Sequence, residues 1–102
     1  TRRKLAQTLT EEFQSGACHA GQYETSLVMA ARPDLVDETG RLKLKDNPAS
    51  LTDAFAKGAR TFEEAGGLDA YFGFPRNAST AEGEESYRVM ASALVDAIAE
   101  AV

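Results

Sequence analysis

Residues Ser15 to Val36 read Ser-Gly-Ala-Cys-His-Ala-Gly-Gln-Tyr-Glu-Thr-Ser-Leu-Val-Met-Ala-Ala-Arg-Pro-Asp-Leu-Val. This stretch holds the only histidine of the chain, His19, its only cysteine, Cys18, and a carboxylate five residues on at Glu24. Gly21 has no Cβ and lets backbone or ligand approach closely. Glu24, Leu27, Val28 and Ala31 then recur at helical spacing, so one helix face carries a carboxylate at its start and apolar contacts beyond it. Pro33 disfavours the helical conformation at Arg32 and ends the helix. The expectation is a loop that delivers an imidazole to the mouth of a buried helix whose first turn carries a carboxylate. Such a helix N-terminus favours negative charge, from Glu24 or from an incoming anion.

Two readings of His19 follow from the residues alone. A histidine within reach of a carboxylate can act as a general acid/base, the carboxylate fixing its tautomer and stabilising the imidazolium. Alternatively it hydrogen-bonds locally at a helix start and does no chemistry. Cys18 is open in the same way, as a thiolate beside an imidazole or as a buried structural thiol. Adjacent residues of an extended segment point to opposite sides, which favours the structural thiol.

Working outward, Thr1 to Gln14 reads as a helix, with Leu5, Leu9 and Phe13 at helical spacing. Asp37 to Ser50 is a polar surface excursion in which the Arg41-Leu42-Lys43-Leu44-Lys45 alternation predicts a short edge strand, lysines outward. Its length suggests packing against a neighbouring subunit or over an active-site entrance. Ser50 or Thr52 caps a short helix through Ala54, Phe55 and Ala59, and Thr61 to Ala65 adds a helical turn closed by Gly66-Gly67. Leu68 to Pro75 is apolar and aromatic, a pocket wall or simply core and turn. Ser79 to Glu82 fits a capping box. The terminal helix it opens runs to Val102 with Tyr87, Met90, Leu94, Ile98 and Val102 on one stripe, which reads as core.

Composition narrows the function classes. The 102 residues are 43% hydrophobic and 26% charged, ordinary for one globular domain. Eleven basic against sixteen acidic residues give a net charge of −5, which argues against a nucleic-acid partner. No apolar run reaches the length of a membrane span. A single cysteine excludes an internal disulfide framework and fits a reducing cytoplasm. One histidine without paired cysteines does not build a zinc site by itself.

The block His19-Ala-Gly-x-x-Glu-Thr-Ser, the small-apolar helix after it and Arg32-Pro-Asp-Leu-Val resemble the signature of the creatininase family of metal-dependent amidohydrolases. Tyr71-Phe-Gly-Phe-Pro and Ala78-Ser-Thr-Ala-Glu-Gly resemble that family's closing Gly-x-Pro and Ala-Thr-Ala-Glu-x-Gly segment. The resemblance covers nearly the whole chain. It implies an α/β class, three-layer α/β/α fold with a mostly parallel sheet, of which residues 1–102 are the mostly helical C-terminal portion with one or two strands. It also implies hydrolysis of an amide or cyclic amide C–N bond in a small-molecule substrate, with one or two divalent metals, Zn or Mn. The metal ligands are expected from a first half absent from this chain, supplied by a companion chain or segment within a hexamer-like homo-oligomer.

The matching catalytic positions are His19 as general acid/base and Glu24 as its support. Cys18, Gly21, Thr25 and Tyr71 are the candidate substrate-binding residues, and no metal ligand is assigned to this chain. Relatives place an acidic or aromatic residue shortly before the histidine, where this chain has Ser15, Gly16, Ala17 and Cys18 and no tryptophan at all. That departure points away from creatinine itself, in a family whose substrates also include formylamino-pyrimidines and peptide precursors. The competing class is a non-catalytic assembly or regulatory subunit that keeps the fold.

Overall fold

The computed structural model describes residues 19–102. Cys18 and the helix expected over Thr1–Gln14 lie outside the described residues.

Helix α1 (Gln22–Ala31) ends where Pro33 requires it, with Arg32 outside the helical region at φ −146° and ψ 74°. A 3-10 turn at Pro33–Leu35 leads to the short helix α2 (Glu38–Arg41), which Asp37 caps by accepting from the Gly40 N–H at 3.1 Å. Helix α3 (Leu51–Ala56) is capped by Ser50, whose Oγ accepts from Asp53 N at 3.2 Å. A 3-10 turn at Pro75–Asn77 precedes the long helix α4 (Thr80–Ala101), capped by Ser79 through the Glu82 N–H at 3.1 Å.

Three local expectations are corrected. The edge strand expected over Arg41–Lys45 is absent: Arg41 closes α2, and Lys43 N–H and Leu44 N–H turn back onto Gly40 O and Arg41 O. The Asp37 cap and the Glu38–Arg41 ion pair, three residues apart, favour a helical turn there. Thr61–Ala65 is a hydrogen-bonded turn and not a helix, with Thr61 accepting from Glu64 N–H at its hydroxyl and from Ala65 N–H at its carbonyl. Among the described residues there is no strand, only an isolated antiparallel bridge between Asn47 and Gly73.

The fold is centred on the α1–α4 crossing. Ser26 and Ser86 are buried there, and Gly83 permits the close approach. A Cβ at Gly83 would land on the Ser26 carbonyl and 2.9 Å from Ala30 Cβ. A second, smaller core gathers Leu51, Ala65 and Phe72, with Phe62 and Ala54 against it. The third correction concerns the stripe on α4. Leu94 and Ile98 are 62% and 56% exposed, and Val95 beside them 64%, so that part of the stripe is not core among the described residues. The reason is length. At 1.5 Å per residue α4 runs about 33 Å and α1 only about 15 Å, so α1 covers the first half of α4 alone.

Candidate functional site

The loop before α1 is fixed residue by residue. His19 is half-buried, its carbonyl accepting from the Phe72 N–H at 2.7 Å. Its ring lies 4.6 Å from the Phe62 ring, tilted by 39°. Phe62 in turn meets the fully buried Phe72 edge-on at 5.8 Å. The next residue, Ala20, sits at φ 53°, in the left-handed region that a side chain rarely adopts. Gly21 is the helix N-cap with φ −95° and no side chain to serve as a cap. No side chain caps the helix; Glu24 Oε1 instead accepts from the Ala20 N–H at 2.6 Å. A capping-box glutamate at this third helical position would take the N–H of Gly21, and here the carboxylate reaches one residue further back. Thr25 adds a hydroxyl donation to Ala20 O at 3.4 Å.

The structure therefore joins His19 and Glu24 through the backbone of Ala20. The carboxylate holds the loop, and the imidazole ring packs on Phe62. The conformational freedom read at Gly21 is exercised one residue earlier, at Ala20. Tyr71 lies elsewhere, its hydroxyl donating to Lys45 O at 2.6 Å.

Beside the loop opens a cleft of about 840 Å³. Ala20, Glu24, Thr25, Arg41, Pro75 and Tyr87 are among its lining residues, and Leu27, Val28 and Leu35 make it largely apolar. Arg41, read in the sequence only as part of a strand, staples its floor. Its Nη1 donates to Pro75 O at 3.1 Å and Arg76 O at 2.9 Å, while Nε and Nη2 fork onto the Glu38 carboxylate at 2.7 and 2.5 Å. That pairing holds the Glu38 carboxyl below its ordinary value and raises the Arg41 guanidinium. The sequence signal was present in the Glu38–Arg41 spacing.

The two sequence blocks meet at the α1–α4 seam. Ser26 Oγ accepts from Ser79 N–H at 3.0 Å and donates to Glu82 Oε2 at 3.4 Å, and Gln22 Nε2 donates to Glu82 Oε1 at 2.6 Å. Glu82 thus reaches across to α1, and Ser26 takes the Ser79 N–H that a capping-box glutamate would have taken. Tyr23 donates to Met90 Sδ at 3.5 Å. Burial first, then the charges of Glu24 and Tyr87, push the Tyr23 phenol up from its ordinary 10.0.

A family model described as creatinine amidohydrolase, Creatininase, matches residues 1–98. The chain belongs to the creatininase family. No curated protein and no solved structure shows a significant match to it. The creatininase family is one of metal-dependent amidohydrolases of α/β fold, which places the chain with hydrolases acting on amide bonds in general. Both creatininase-like blocks fall where the geometry converges, the His19–Ser26 block against the Ala78–Gly83 block. Among the described residues no group of three or more His, Cys, Asp or Glu side chains converges, so these residues do not by themselves fit the family's metal. Among the same residues no helix is long and apolar enough to cross a membrane.

Proposed function

We propose that this chain serves hydrolysis of an amide or cyclic amide C–N bond in a small molecule, with His19 as the general acid/base. The observation that supports it most is the fixation of His19 from several sides: Phe72 N–H on its carbonyl, Phe62 on its ring, and Glu24 holding the left-handed Ala20 beside it. Residues held in sparsely populated backbone regions by their surroundings cluster at functional sites.

The chemistry suits an imidazole. An amide nitrogen leaves poorly as an anion and needs a proton as the C–N bond breaks, and histidine transfers protons near neutral pH. Glu24 is a positioning residue in this account, acting on His19 through the Ala20 N–H. The adjoining cleft, lined by Ala20, Glu24 and Thr25 but not by His19, offers the substrate a seat one residue away from the imidazole. The family's divalent metal, Zn or Mn, would be held outside the described residues, by a companion segment or chain.

A panel of linear and cyclic amides offered to the full protein, together with its metal content, tests this reading. The expected result is equimolar release of carboxylate and amine from at least one member. Bound metal with no amide turned over would contradict it and leave a subunit that keeps the fold without the chemistry.

A further inference from the structure

The Phe72 amide that holds His19 is itself held by a residue outside both sequence blocks. Asn47 Nδ2 donates to Gly66 O at 3.0 Å and to Tyr71 O at 2.9 Å, and its Oδ1 accepts from Ala49 N–H at 3.1 Å. Its backbone exchanges two hydrogen bonds with Gly73, donating at 2.8 Å and accepting at 2.5 Å. Phe72 is thereby pinned on both sides, by the carbonyl of Tyr71 before it and by the N–H and C=O of Gly73 after it. Its N–H then meets the His19 carbonyl at 2.7 Å, and its ring meets Phe62, the ring against which His19 lies. The segment clasped at Gly66 also walls Phe72 in, since a Cβ at Gly67 would strike the Phe72 ring.

We propose that Asn47 is a positioning residue for His19, acting through Phe72 on the His19 carbonyl and, by way of Phe62, on its ring. The inference rests on the reading of His19 as the proton carrier. An asparagine suits the place because one short side chain supplies two donors and an acceptor. Aspartate keeps the shape but sets acceptors against two carbonyl oxygens, and alanine supplies nothing.

Asn47→Asp and Asn47→Ala in the full protein, followed by steady-state kinetics and by NMR of labelled histidine and methionine, test it. The His19 signal is assigned by its loss in His19→Gln, and the Met90 methyl beside Tyr23 reports the α1–α4 seam. The expected result is a His19 ring signal displaced toward free histidine, an unmoved Met90 signal, and kcat lowered roughly 10- to 100-fold with KM little changed, as for a small misplacement of a reacting group. An unmoved His19 signal with the seam intact would overturn the inference. Should neither variant keep the seam, the wild-type protein decides: both Asn47 side-chain amide protons exchange slowly if the clasp is real, and rapid exchange would overturn it. Full turnover by His19→Ala would instead remove the proton-carrier reading, whereas the His19 signal in the Asn47 variants reports the clasp independently.

Discussion

Ala20 at φ 53° is the residue on which the loop turns. A left-handed alanine costs roughly 1–2 kcal/mol, and the solvent-exposed hydrogen bond from its N–H to the Glu24 carboxylate offsets part of that cost. Glu24→Gln should therefore lower both stability and turnover. Ala20→Gly, which removes the left-handed cost, should recover part of both in the Glu24→Gln background. Denaturant midpoints and kcat for the four proteins check this, and a second substitution that adds to the damage would contradict it. The histidine and the carboxylate were legible as a pair because both stand in one short block. Their link was not, because a sequence with Ala20 before Gly21 assigns the unusual backbone to the glycine. Which donor Glu24 meets depends on that turn.

The α1–α4 seam carries the fold's closest approach. Alanine at position 83 would gain about 1 kcal/mol of helix propensity over glycine. It would also press on the Ser26 carbonyl and Ala30 Cβ, and overpacking of this kind costs typically 1–3 kcal/mol. The backbone carbonyl cannot rotate away as a side chain would, so Gly83→Ala should lower Tm, and a raised Tm would show that the helices separate easily. At α2, the Glu38 carboxyl is held below its ordinary 4.5 by Arg41. A depressed carboxyl contributes stability above the unfolded value and loses it as pH falls through the folded one. The stability difference between wild type and Glu38→Gln should thus be present at neutral pH and fade below about 4.5, and a difference independent of pH would contradict the pairing. Helix ends were legible wherever the signal is local, as at Ser50, Ser79 and Pro33. The exchange between Ser26 and Glu82 was not, because its partners stand 56 residues apart. The alternation at Arg41–Lys45 misled because one cap and one ion pair outweigh a period of two.

Over the whole molecule, the described residues supply helices and no strand, while the family brings an α/β fold. Among the described residues nothing covers the second half of α4. Exposed Leu94, Val95 and Ile98 lie on one helix, and contiguous apolar surface of this kind favours association. The 102-residue chain alone should sediment as a self-associated species, and replacing Leu94 and Ile98 with Lys should return it toward monomer. A monomeric wild-type chain would contradict that. The family, and with it an α/β class in general, was legible in the two blocks; the strands of a three-layer fold are not among the described residues, which supply helices alone.

Whether His19 carries the proton in amide hydrolysis is tested most directly by kcat of His19→Ala in the full protein. General acid/base assistance typically contributes roughly 100- to 10,000-fold, so turnover should fall by that factor with KM little changed. Turnover near that of wild type would contradict the claim and leave His19 a packing residue beneath Phe62.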